Sequence, residues 1–309
     1  MKNWVRLGFL GLIIGFYLVL SQWPDTNLHL VVCDVGQGDA ILITQGFWQV
    51  LIDGGPDDSV QKCLNQHLPF WDRTIELVVV THFDKDHIGG LPGVIDRFQT
   101  KEVLISQWGR SQTTQKLKKS LQKQSLSKIK IKEPVLGTTV GFPSGGKLKV
   151  LSPAEPYFAA KIATAVSPKV DLTELILSDK VDQFFDEAIE GNDRSIVLLL
   201  EFNQFKGLLM GDASQKVELA LLKQGLIQDI DWLKVGHHGA KTSTSLQFLH
   251  ATRPEICTIS CGNSNAFGHP AGDIVAKLMH EDCIVWRTDQ KGTIELVTDG
   301  SAYWIAEQP

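Results

Sequence analysis

Leu77-Val78-Val79-Val80-Thr81-His82-Phe83-Asp84-Lys85-Asp86-His87-Ile88-Gly89-Gly90 joins a continuous apolar run to four ligand-type side chains within six positions. A short apolar run that stops at a polar loop predicts a strand buried on both faces, as in a parallel sheet. Alternate residues of an extended loop face the same way, so His82 and Asp84 can share one metal ion. Asp86 and His87 follow where the chain turns into the helix marked by Gly89-Gly90, and can reach a second ion beside the first. A solvated charge cluster would not need the buried strand in front of it, and a mix of imidazole and carboxylate suits divalent cations.

Upstream, Leu28 to Cys33 reads as a strand and Asp34-Val35-Gly36-Gln37-Gly38-Asp39 as a turn rich in glycine and acid. Ile41 to Ile43 and Val50 to Ile52 predict two further strands around the turn Gln45-Gly46, with Asp53-Gly54-Gly55-Pro56 closing the run and a helix in the low sixties. Downstream come a helix from Pro92 to Arg97 and a helix-then-strand segment from Thr113 to Lys132. That segment carries Lys116, Lys118, Lys119, Lys123, Lys128, Lys130 and Lys132. Asp171 to Asp193 is carboxylate-rich, with Leu175, Ile176, Val181, Phe184, Phe185 and Ile189 at helix-compatible spacing. It reads as a helical insertion at about 155–191, either an ordinary solvated helix or a lid. In the last third, strands at 195–201, 207–210, 232–235, 256–260, 284–286 and 293–297 alternate with helices at 214–223, 243–250 and 273–279. Strands interleaved with helices predict sheets covered by helices, a layered α/β domain.

One internal repeat is visible. Leu51-Ile52-Asp53-Gly54, a helix, then Val79-Val80-Thr81-His82 is matched by Leu209-Met210-Gly211-Asp212, a helix, then Lys234-Val235-Gly236-His237. Two such halves facing each other would bring Asp212, His82 and His237 to one edge of a sandwich.

The 309 residues can bury a large core, and a net charge of −5 excludes a protein that coats nucleic acid through its overall charge. The lysine-rich run is the one strong candidate for a phosphate backbone, against the plainer reading of a solvated amphipathic helix. Five cysteines, at 33, 63, 257, 261 and 283, show no CxxC pair and read mostly as buried free thiols, with Cys257–Cys261 a bridge only if local geometry allows it. Lys2 and Arg6 precede an uncharged run from Leu7 to Leu20. A positive flank before a short apolar core predicts a signal anchor or signal peptide over residues 1–24. Either places residues 25–309 outside the cytoplasm, membrane-anchored or secreted.

The segment Thr81 to Gly90 resembles the HxHxDH metal motif of the metallo-β-lactamase superfamily, with Asp84 where most members have the second histidine. That departure, and the blocks Asp34 to Ala40, Leu51 to Gly55, Leu208 to Asp212, Leu233 to Gly239, Ser260 to Asn265, Phe267 to Pro270 and Arg287 to Gly292, resemble the branch containing the soluble domain of ComEC, a DNA-uptake channel protein. The resemblance implies an αββα sandwich and two divalent metal ions, manganese or zinc. It implies His82 and Asp84 on the first ion, Asp86 and His87 on the second, Asp212 as bridging carboxylate and His237, with His238 as its rival, as the last ligand. Asp86, Asp212 and His238 form the implied catalytic set. Asp39 and Asp53 would orient ligands from behind. Asn192, Lys241, Ser243 and His269 are candidate substrate contacts, with a helix N-cap as the plainer role for Ser243 or Thr242. Many members carry a further histidine before the bridging aspartate, and none lies between Pro168 and Asp212 here.

Metal-activated water serves several hydrolyses, so the implied site gives hydrolysis without a substrate. The branch implies a nuclease or phosphodiesterase acting on DNA during uptake, with a channel partner in a split system. The alternatives are a hydrolase of another envelope substrate, such as a phosphorylcholine-type ester or a lactam, and an inactive module that docks DNA or a channel.

Overall fold

The computed structural model describes residues 2–124, 129–155, 171–178 and 192–307, with side chains from Phe9 onward. Lys128 and most of the expected insertion, including Val181, Phe184, Phe185 and Ile189, lie outside the described residues.

The strands are β1 (Leu28–Val32), β2 (Ile41–Gln45), β3 (Trp48–Ile52), β4 (Thr74–Val80), β5 (Gln99–Ile105), β6 (Lys130–Lys132), β7 (Thr139–Gly141), β8 (Lys147–Ser152), β9 (Val197–Phe202), β10 (Phe205–Leu209), β11 (Trp232–Lys234), β12 (Ile256–Ile259), β13 (Ile284–Arg287), β14 (Ile294–Thr298) and β15 (Tyr303–Ile305). They form two sheets, one ordered β15-β14-β1-β2-β3-β4-β5-β6 and the other β13-β12-β11-β10-β9-β8-β7. The helices used below are α1 (Lys2–Ser21), α2 (Val60–His67), α3 (Lys85–Ile88), α4 (Leu91–Arg97), α5 (Gln112–Gln124), α6 (Leu172–Leu177), α7 (Gln215–Lys223), α8 (Leu246–Thr252) and α9 (Gly272–His280).

The apolar run of β4 shows how the layers form. Leu77 and Val79 pack between the two sheets with Leu30, Ile43, Leu198 and Trp232. Val78 and Val80 point the other way, under Val60 and Leu64 of α2, Leu91 and Val94 of α4 and Leu117 and Leu121 of α5. Both faces of the strand are therefore apolar, and each fully buried valine contributes about 1.5–3 kcal/mol. A third core sets Val197, Leu199, Leu208 and Met210 against Val217 of α7, Phe248 of α8 and Ile274 of α9. The result is helix, sheet, sheet, helix, an αββα sandwich. Leu175 and Ile176 of α6 join the first core, so the described part of the acidic segment packs on the scaffold. Strands β5 and β8 escape the sequence reading because polar residues dominate the first half of each, Gln99 to Glu102 in β5 and Lys147 and Lys149 in β8, and the apolar run comes only toward the end.

The repeat has a structural counterpart. β3 runs parallel to β4 after α2, and β10 runs parallel to β11 after α7. Both β-α-β units end at the same edge of the sandwich. Among the described residues, no helix is long and apolar enough to cross a membrane.

The cysteine reading is corrected. Cys33 is bonded to Cys63 and Cys257 to Cys283, and only Cys261 is free and buried. Spacing along the chain carried no trace of these pairs, because each is made by a strand end meeting a helix or a strand from another part of the fold. With partners 30 and 26 positions apart, the chain-entropy model gives each bridge about 3–4 kcal/mol. Cys33→Ala should lower the unfolding free energy by about that amount in a denaturant titration, and prior reduction of the wild type should lower it further.

Candidate metal centre

Asp53 follows β3 in the left-handed region (φ 59°), which swings its carboxylate back beneath the end of β4. There one oxygen accepts from the Thr81 amide (2.8 Å) and the other from the Thr81 hydroxyl (2.6 Å) and His87 Nδ1 (2.7 Å). The Thr81 hydroxyl, having donated to Asp53, accepts from His82 Nδ1 at 3.1 Å. On the facing half, His238 Nδ1 donates to the carbonyl of Ser260 at 3.0 Å. In all three rings Nδ1 is thus tied to an acceptor and Nε2 is turned inward.

Asp212 stands between them, 3% exposed. Its Oδ1 lies 3.3 Å from His87 Nε2 and 3.6 Å from His238 Nε2, while Oδ2 lies 3.7 Å from His82 Nε2 and 3.6 Å from His237 Nε2. Asp86 Oδ2 is 3.4 Å from His238 Nε2, and Asp84 Oδ2 is 3.6 Å from His82 Nε2. The carboxylate of Asp212 thus faces His87 and His238, with Asp86 beside them, through one oxygen and His82 and His237, with Asp84 beyond, through the other, while the His82 and His87 rings lie 4.0 Å apart.

Gly38 is required where the chain passes the motif. Its φ is 139°, and a Cβ there would sit 2.1 Å from the Asp86 carbonyl. The next residue, Asp39, donates its amide to that same carbonyl at 3.1 Å. Asp39 is itself fully buried, with Oδ2 accepting from Lys234 Nζ at 2.8 Å and Oδ1 3.3 Å from His238 Nδ1.

The histidine reading from the strand offset is corrected in geometry: His238, not His237, lies beside Asp86 and His87. Both residues sit in the left-handed region (φ 50° and 54°), so the chain curls at once after β11 and throws successive rings to opposite sides of Asp212. The loop after His82 stays extended until Asp84, so the same offset leads to a different place. His237 is a quarter exposed, 3.2 Å from Asn192 Nδ2 and 3.3 Å from Thr242 Oγ1. His269 reaches the mouth from a cis bond to Pro270, its ring 5.6 Å from that of His237.

Two of the candidate substrate contacts point elsewhere. Ser243 is fully buried and its hydroxyl donates to the carbonyls of Gly236 and Ala240, while Lys241 is exposed and 3.9 Å from Asp273. The residue that caps α8 is Ser245, neither Thr242 nor Ser243. Lys234 is what the sequence reading missed. Its signal was a lone lysine inside the apolar run Trp232 to Val235.

The electrostatics favour a cation. Burial works against charge on His87, yet Asp212 and Asp53 raise its pKa well above the usual imidazole value. For His238 burial is likewise overcome, by Asp212 and Asp39, and the pKa is pushed up to about 10. Against burial, His87 and His238 hold Asp212 well below the carboxylate range. His237 is lowered by burial, and His269 by burial and its neighbouring imidazoles. Protons are therefore held in an acidic cluster where His82 Nε2 and Asp212 Oδ1 are buried with no hydrogen-bond partner among the described residues. The donor set of inward imidazole nitrogens around a shared carboxylate fits divalent cations. Asp86, His87 and His238 form one grouping with the spacing of a metal site, and His82, His87 and Asp212 another.

Residues 33–262 match the family model of the metallo-beta-lactamase superfamily. The chain belongs to the metallo-β-lactamase superfamily. It is 27% identical over 303 residues to ComE operon protein 3 of Bacillus subtilis (strain 168), covering 91% of this chain and 34% of that protein. It is 24% identical over 279 residues to Competence protein ComA of Neisseria gonorrhoeae, covering 88% and 32%. The chain thus spans about a third of the length of these relatives. Among solved structures it is similar to the metallo-beta-lactamase fold protein YhfI from Bacillus subtilis, at 8% identity and a TM-score of 0.46, over 84% of this chain and 95% of that one.

Members of the superfamily are typically metal-dependent hydrolases, and here the metallo-β-lactamase motif is braced by a buried ion pair between Asp39 and Lys234. Removing one partner of such a pair leaves an uncompensated charge and costs about 3–5 kcal/mol. Lys234→Met should therefore lower the unfolding free energy by about 3–5 kcal/mol in urea. Exchanging the exposed Lys241 for methionine should change it by less than about 0.5 kcal/mol.

Proposed function

We propose that this chain is a two-cation phosphodiesterase that cuts DNA outside the cytoplasmic membrane, with residues 25–309 as the hydrolase domain behind an anchor or signal at 1–24. The observation that carries this reading is the Asp212 carboxylate, set between two clusters whose imidazoles are already turned inward. In the proposed assignment His82, Asp84 and Asp212 hold one ion, with His237 beside it, while Asp86, His87, His238 and Asp212 hold the other. When bound, a pair of divalent cations supplies an activated water and neutralises charge on the attacked phosphorus.

The chain's own residues do the rest. Asp53 fixes His87, and the Ser260 carbonyl, with Asp39 beside it, fixes His238, so neither ring has to reorganise during turnover. Asp212 keeps both clusters in register. Asn192 and His269, at the mouth, are placed to meet the substrate. Carboxylate donors at Asp84 and Asp86 harden the site and favour manganese, though the affinity order still favours zinc.

DNA is preferred as substrate for two reasons. The relatives include a protein named for competence. Also, Lys116 and Lys119 are exposed on α5, which packs against the α3–α4 segment carrying the metal motif. Lys130 is also exposed, on β6, whereas Lys123 pairs with Asp96, Lys132 pairs with Glu102 and Lys118 is buried. The two disulfides fit an oxidising compartment outside the cytoplasm.

Linear DNA incubated with the purified chain and manganese should be cut, and Asp212→Ala or Asp86→Ala should reduce cutting to background, with the part-exposed Asp86→Ala leaving the melting temperature within a few degrees. Cleavage of a small phosphodiester without cleavage of DNA would move the substrate to another envelope ester. No cleavage of either with manganese or zinc would leave a binding module.

A further inference from the structure

A second feature lies at the opposite pole of the sandwich from the metal motif. Trp23, Phe47 and Phe70 are 60%, 41% and 56% exposed, unusually bare for large aromatic rings. They come from three separate segments: the linker after α1, the β2–β3 turn and the loop before β4. The rings of Trp23 and Phe47 meet edge to face at 5.3 Å, and the amide of Phe70 donates to Gln22 Oε1 at 3.0 Å, joining its loop to the end of α1. Trp71 adds its ring to that of Phe70 at 4.8 Å.

The patch is continuous with α1, whose Phe9, Leu12, Phe16, Tyr17 and Leu20 are all more than half exposed. An apolar helix ending in a collar of aromatic rings is the arrangement that a bilayer interface selects. Tryptophan and other aromatic side chains prefer the headgroup level, where an apolar body and a polar edge are both served. The chain neighbours of the three rings, Gln22, Pro24, Gly46, Trp48, Pro69 and Trp71, include no lysine or arginine. The immediate chain neighbours of the rings are therefore uncharged.

We infer that Trp23, Phe47 and Phe70 seat the domain on the interface of a lipid bilayer entered by α1, holding the metal centre on the side facing away from the membrane. Phe47 lies just before β3 and Phe70 a few residues before β4, whereas Asp53 and His82 lie just past their far ends. The seven residues of β4 separate the two poles by roughly 20 Å at about 3.3 Å per residue. A long polymer could then pass over the metal centre without meeting the lipid surface. The inference rests on α1 being a membrane anchor.

The test uses the full chain in phosphatidylcholine vesicles. Phe47→Cys, Phe70→Cys and Ser264→Cys are each labelled with a polarity-sensitive fluorophore, Ser264 being exposed next to Asn265, which hydrogen-bonds the backbone of His269, and Cys261 being buried. Labels at 47 and 70 should shift to the blue on reconstitution and be quenched by lipids carrying a nitroxide just below the headgroup, while the label at 264 should do neither. If the chain does not sediment with the vesicles, the anchor itself is refuted, and the docking with it. If it sediments but the labels at 47 and 70 stay unshifted and unquenched, the anchor stands and the docking is refuted, leaving the collar to a protein partner. Because the two labelled positions lie on separate loops, a folding defect in one leaves the other decisive.

Discussion

The carboxylate of Asp53 is the constraint on which the rest depends. It accepts three hydrogen bonds, two from Thr81 and one from His87. Those bonds tie the end of β3 to the end of β4 and the metal motif to both. A buried carboxylate in this position must be satisfied, since an unpaired one would cost several kcal/mol. The satisfaction is what turns His87 inward and, through the Thr81 hydroxyl, His82 as well. The left-handed backbone at Asp53 is the local strain that this geometry carries.

The facing half solves the same problem with different parts. His238 is fixed by the Ser260 carbonyl and by Asp39, and Asp39 is neutralised by Lys234. The two halves meet at the site where the Asp212 carboxylate stands among their rings, where Asp86 approaches His238 and where Asp39 pairs with Lys234. Two β-α-β units of similar build thus meet through acids and imidazoles that neither could bury alone. Charge of this kind stabilises little by itself. Its arrangement makes sense as preparation for cations, which exchange protons held on His87 and His238 for metal.

Much of this was legible in the chain. The apolar run before Thr81 announced β4 because both of its faces are buried, and the ligand spacing announced the cluster because an extended loop alternates its side chains. The β-strand-acid-helix repeat foretold that Asp212, His82 and His237 would share an edge. What could not be read were the features made by chain segments far apart. The disulfides join strand ends to residues 26 and 30 positions away. The partner of Lys234 comes from the other sheet, and the choice between His237 and His238 depends on two left-handed residues that no spacing rule anticipates. Ser243 looked like a phosphate contact in sequence because a hydroxyl after a ligand loop often is one. Its backbone partners are visible only once the loop is folded. The aromatic collar was silent for the same reason, since its three rings come from three loops.

The central claim is that one carboxylate, Asp212, is shared by two cation sites. Crystals of the chain soaked in manganese, with diffraction collected at the manganese edge, test it most directly. The account predicts two anomalous peaks flanking the Asp212 carboxylate, one beside Asp86, His87 and His238 and the other beside His82 and Asp84. A single peak, or peaks that leave Asp212 without a metal on either oxygen, would contradict it.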